Sequence, residues 1–103
     1  MSEPEEGTTC FLCGDPAKCQ KTDGHNRRLY DCSSQSCGEY EISLAAKERL
    51  KNPTDKAKVS AEVHCIKNQD PDKILVITVD PKTHDLDFKV VPRSEVYARI
   101  SHP

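Results

Sequence analysis

A chain of 103 residues is one small domain, and folding at that size removes only roughly 60 to 70% of the unfolded surface from water, which excludes a large hydrophobic core. The residues are 35% hydrophobic and 31% charged, with two Phe, three Tyr, no Trp and seven Pro, so aromatic packing is scarce and six Cys stand out as staples for a thin core. A net charge of −2 excludes strong, sequence-blind attraction of the whole protein to nucleic acid or to a membrane and leaves only local contacts of that kind.

Residues 1–9 (MSEPEEGTT) carry three Glu and no apolar stretch, the composition of a frayed acidic tail and the opposite of a secretory signal. No stretch approaches the ~20 apolar residues of a membrane span. The expectation is a cytoplasmic protein without membrane contact, in a reducing compartment where closely spaced cysteines serve metals more often than disulfides.

Next come the cysteines. Cys10-Phe-Leu-Cys13-Gly14 is a CxxCG element, and Cys32-Ser-Ser-Gln-Ser-Cys37-Gly38 is a CxxxxCG element further on. Each pair can meet one ion from a tight turn, and the following Gly is free to take positive φ, which turns backbone amides toward the sulfurs. Four thiolates in a tetrahedron suit Zn²⁺, so Cys10, Cys13, Cys32 and Cys37 are the predicted ligands. Iron in the same four-sulfur cage is the chemical alternative. Such a set is closed to water and substrate, which makes the metal structural. Cys19 and His25 lie between the two elements and stay open as substitute ligands, because the second spacer is longer than the usual two residues. Their ordinary roles are a small buried hydrophobe on a strand and a loop-tip residue.

Between the knuckles, residues 17–21 and 27–31 flank the turn formers Thr22-Asp23-Gly24-His25-Asn26, which predicts a β-hairpin. Glu39-Tyr40-Glu41-Ile42 alternates polar and apolar, as a third strand with one buried face does. CxxCG, a hairpin containing Asp-Gly, and then Cx₄CG-x-Tyr-x-Ile together resemble the zinc-ribbon (rubredoxin-like knuckle) family. The pattern is similar in particular to the small ribbons heading many bacterial and phage-encoded proteins, in which a helical segment follows the Tyr-x-Ile strand. The resemblance covers residues 10–42 and extends loosely over 43–68; it implies zinc and says little about function.

Ser43 is positioned to cap a short helix over 44–51 that places Ala46 and Leu50 on one side. Asn52 then caps a second helix with Pro53 at its first position, where a missing N–H costs nothing. Val59, Val63 and Ile66 form its apolar stripe, Cys65 is expected to be a packing thiol, and Pro71 blocks continuation. His64 and Cys65 are neighbours whose side chains point about 100° apart on a helix, so they make no catalytic pair. Ile74 to Val79 is a strand apolar on both faces, residues 80–85 a turn, and Leu86, Phe88 and Val90 alternate with Asp87 and Lys89 in a strand folding back antiparallel. Ser94 and Glu95 open a short terminal helix through Val96, Tyr97 and Ile100.

The expected architecture is therefore a small α+β chain: an acidic tail (1–9), a three-stranded N-terminal zinc ribbon (10–42), and a region packed on or beside it (43–103) made of two short helices, an antiparallel β-hairpin and a short C-terminal helix. The expected function is a non-enzymatic binding module, since no nucleophile with a paired base and no phosphate loop stands out. One candidate partner is nucleic acid, held weakly and salt-dependently by Lys18, Lys21, Arg27 and Arg28 of the hairpin. The alternative is a protein partner or a homodimer docking on strand 74–79, because a hairpin strand that is apolar on both faces needs covering on each.

Overall fold

The computed structural model of the chain describes residues 9–22, 27–32 and 37–98. Residues 1–8 of the expected tail, the turn tip at 23–26 with His25, and Ile100 lie outside the described residues; Thr9 forms an isolated bridge with Pro16. The elements in chain order are β1 (Ala17–Thr22), β2 (Arg27–Cys32), β3 (Glu39–Ser43), α1 (Leu44–Arg49), α2 (Pro53–Gln69), β4 (Lys73–Val79), β5 (Leu86–Pro92) and α3 (Arg93–Tyr97).

All five strands belong to one mixed sheet in the order β1-β2-β3-β4-β5. The expected fold, a three-stranded ribbon followed by a separate hairpin, is corrected here. β3 pairs in parallel with β4, with Tyr40 opposite Leu75, Glu41 opposite Val76 and Ile42 opposite Ile77, while the other neighbours are antiparallel. A parallel pair needs a long crossover, and α1 with α2 supplies it. α2 runs for 17 residues, so it is no short helix either.

Local signals set the helix boundaries. The Ser43 hydroxyl accepts from the Ala46 N–H at 3.0 Å and starts α1. The Asn52 Oδ1 accepts from the N–H of Thr54 at 2.8 Å and of Asp55 at 3.3 Å, with Pro53 opening α2. α2 stops at Asp70, where the chain bends through Pro71 into β4. Among the described residues no helix is long and apolar enough to cross a membrane.

The period-two alternation of the strands sorts the core into two layers. On one face Tyr30, Tyr40, Ile42, Leu75 and Ile77 pack beneath Ala46 and Leu50 at α1 and Val59 and Val63 of α2. On the other face Leu29, Ile74 and Val76 are closed by Val96 of α3. The terminal helix is latched to β3: the Arg93 Nε lies 3.0 Å from Glu39 Oε1, and the Tyr97 hydroxyl donates to the same carboxylate. β4 is thus covered on both faces by its own chain and paired along both edges, which corrects the expectation that strand 74–79 offers itself to a partner.

Glu41 points from β3 to the α3 side of the sheet and is 0% exposed. Thr22 donates its hydroxyl to Oε2 at 2.6 Å, and Arg27 donates from NH1 to Oε1 at 3.3 Å. A buried carboxylate is tolerable only while such donors compensate its lost hydration. Arg27→Ala is therefore expected to destabilise the fold on the order of 3 kcal/mol, read from the urea midpoint; an unchanged midpoint would contradict the role given to this pair.

Candidate metal centre

Knuckle one precedes β1 and knuckle two joins β2 to β3, so strand pairing brings the two together. Residues 11–13 form a tight turn after Cys10, closed by Gly14 N–H to Cys10 C=O at 2.9 Å and by Cys10 N–H to Asp15 C=O at 2.7 Å. Gly14 has φ +84°, a left-handed conformation that a side chain disfavours. Cys32 ends β2, and its N–H donates to the Gly38 carbonyl at 3.1 Å across the second knuckle. Gly38 does not share the positive φ expected of it. Its role is close approach: a Cβ there would stand 3.3 Å from Val63 Cγ1 and 3.1 Å from Lys67 Cδ, so the bare backbone lets α2 lie against the knuckle.

The sulfurs of Cys10, Cys13, Cys32 and Cys37 all lie within 4.8 Å of one another. Cys10 Sγ is 3.8 Å from Cys37 Sγ, and Cys13 Sγ is 3.3 Å from Cys32 Sγ. A tetrahedron with metal–sulfur distances of about 2.3 Å has edges of about 3.8 Å, so the four donors fit one ion. Cys10, Cys32 and Cys37 are buried and Cys13 is half-buried. Cys19 is buried outside this cluster, opposite Tyr30 on β1 and β2. Cys65, expected to pack, is instead exposed on the outer side of α2.

Two side chains support the cluster that spacing did not single out. The Tyr40 hydroxyl lies 3.2 Å from Cys10 Sγ and accepts from the Leu12 N–H at 3.3 Å. Ser60 of α2, also buried, hydrogen-bonds Cys37. The sequence signal for Tyr40 is its position three residues after Cys37, at the start of a strand facing inward; Ser60 carries no local signal. The Cys37 thiol, and behind it the Tyr40 hydroxyl, hold Cys10 well below the usual thiol range against the opposing effect of burial, and the same contact pushes Cys37 up. Burial, then the bond to Cys10, raises the Tyr40 phenol, which keeps it a donor.

Aromatic residues are concentrated here. Tyr30 and Tyr40, opposite one another on β2 and β3, stack with centroids 5.2 Å apart. Lys47 donates to the Tyr30 hydroxyl at 2.7 Å and stands over the Phe11 ring at 5.2 Å, and Lys56 stands over the same ring at 4.3 Å, tying both helices to the first knuckle.

The hairpin cations do not form one patch. Strand alternation puts Lys18 and Arg27 on the α3 side and Lys21 and Arg28 on the other; Lys18 stands opposite Asp31 and Lys21 opposite Arg28. Arg27 is engaged by Glu41, and Arg28 donates from NH1 to the Arg27 carbonyl at 3.2 Å.

No protein-family model matches the chain, and neither a curated protein nor a solved structure does. Tyr40→Phe removes the donor to Cys10 and strands the buried Leu12 N–H; it is expected to cost about 1–2 kcal/mol. Equal denaturation midpoints for the variant and the parent would contradict this supporting role.

Proposed function

We propose that the protein is a non-enzymatic binding module in which Cys10, Cys13, Cys32 and Cys37 hold one structural Zn²⁺. The observation that carries this reading is the convergence of four sulfurs from two knuckles at tetrahedral spacing, three of them buried. A four-thiolate set fills the coordination sphere of zinc and leaves no position for water or substrate, which is the donor chemistry of a structural site. Bound zinc would supply a cross-link between residues 10–13 and 32–37. The chain's own contribution is orientation: the turn at Gly14 aims Cys10 and Cys13, and Tyr40 and Ser60 offer hydroxyls to the sulfurs.

The arrangement of the hairpin cations gives nucleic acid little support as a partner. The four hairpin cations divide between two faces, and Arg27 is already spent on Glu41. What remains favours at most weak, salt-sensitive contact with phosphates.

Elemental analysis of protein purified without added metal is expected to give one zinc per chain, and Cys13→Ser is expected to abolish it. Iron, with its visible absorption, or a metal-free folded chain would overturn the zinc assignment. Labelled DNA and RNA are expected to show no retention at physiological salt. Retention lost in a Lys21→Ala/Arg28→Ala variant would instead restore the nucleic-acid reading; Arg27 is left intact because its removal exposes Glu41 to an unpaired burial.

A further inference from the structure

The two ends of the sheet differ in kind. β1, Ala17–Thr22, is a polar edge with Lys18, Gln20 and Lys21 exposed, the usual protection against pairing with another chain. β5 ends the other side, and among the described residues no strand pairs with its outer edge. It reads Leu86-Asp87-Phe88-Lys89-Val90-Val91-Pro92, with Phe88 46% and Val90 52% exposed. A seven-residue edge with two large apolar residues in water invites a partner strand.

The backbone hydrogen bonds say which residues face that partner. Arg93 N–H donates to Asp72 C=O, and Asp80 N–H to Asp85 C=O, so the odd-numbered residues of β5 direct their amides at β4. The amides and carbonyls of Leu86, Phe88 and Val90 therefore point outward. Pro92, which would come next, has no N–H and ends the outward ladder.

We propose that β5 pairs antiparallel with β5 of a second copy of this chain, about a two-fold axis at Phe88. In that register Phe88 faces Phe88 of the second copy, Leu86 faces Val90 in both directions, and all three outward pairs exchange backbone hydrogen bonds. Asp87 then stands opposite Lys89 twice, at the non-hydrogen-bonded positions where Cα atoms come within about 4.5 Å. These two side chains lie on the α3 side of the sheet, where Lys89 Nζ is already 3.9 Å from Asp87 Oδ2 within one chain. Charge selects this register over its neighbours: a shift of the centre to residue 87 sets Asp against Asp, and a shift to residue 89 sets Lys against Lys. On the helix side Leu86 and Phe88 border an apolar groove with Leu50 and Val59, which a second Phe88 would extend and cover.

This pairing is independent of the metal site, and metal content measured on every sample keeps the two readings apart. The full chain is expected to sediment as a concentration-dependent dimer. Lys89→Asp or Asp87→Lys alone replaces two attractive pairs by two repulsive ones and is expected to raise the dimer dissociation constant on the order of tenfold or more. The double reversal Asp87→Lys/Lys89→Asp is expected to restore dimerisation, and an equimolar mixture of the two single variants to form the heterodimer. Hydrogen exchange supplies a second readout: in the dimer the amides of Leu86, Phe88 and Val90 are protected along with those of 87, 89 and 91, whereas a monomer protects only the odd set. A chain that stays monomeric at all soluble concentrations with the alternating pattern, or a dimer indifferent to both single reversals, would overturn the proposal.

Discussion

The convergence of Cys10, Cys13, Cys32 and Cys37 on one point is the constraint on which the rest of the structure depends. One ionised thiol in so close a cluster can be held by its neighbours, as Cys37 does for Cys10, but several thiolates there would repel one another. A single bound ion would turn that liability into a cross-link between residues 10–13 and the adjoining ends of β2 and β3. Such a link would anchor residues 10–13, which contribute no strand of their own, and set where β3 begins. Because β3 lies in the middle of the sheet, its position in turn decides where β4 can pair. The aromatic residues follow the same logic: Phe11, Tyr30 and Tyr40 surround the cluster and tie it to α1 and α2, while Phe88 and Tyr97 stand at the periphery.

The opposite face is held by polar chemistry. A short helix with one buried anchor, Val96, closes a small apolar layer, and Arg93 with Tyr97 binds it to Glu39. Beside that layer the carboxylate of Glu41 is satisfied by Thr22 and Arg27 from the two hairpin strands. A buried pair of this type adds little net stability over an apolar substitute, but it penalises any register in which the partners miss each other. In a chain with so few large apolar side chains, that penalty helps define the pairing of β1, β2 and β3. It also engages Arg27 within the fold.

What could be read from the sequence was local. The paired knuckle spacings foretell the cysteine cluster, the alternation at Glu39–Ile42 is a strand, and Ser43, Asn52 and Pro53 mark helix starts through hydrogen bonds that span only two or three residues. The parallel pairing of β3 with β4 was not legible, because its partners sit some thirty-five residues apart (Tyr40 to Leu75) and a parallel ladder leaves no turn signal. That pairing joins the ribbon strands and the hairpin into one sheet and covers strand 74–79 along its β3 edge. The cationic character of Arg27 was visible, but its neutralisation by Glu41, fourteen residues on, was not. Cys65 was expected to be buried because Val59, Val63 and Ile66 describe a stripe, yet it projects from the other side of α2. Gly38 looked like a second copy of Gly14; only the packing of Val63 and Lys67 reveals that space, not backbone angle, is what it supplies.

If the four-thiolate link governs the whole sheet, its loss must be felt beyond the knuckles. The most direct measurement is amide hydrogen exchange followed by NMR on the full chain before and after removal of bound metal with a chelator. The expected result is that slow exchange at Glu41, whose amide faces β4, collapses together with that at Leu75 and Ile77, whose amides face β3. Protection of the β3–β4 pair that survives in metal-free protein would contradict it.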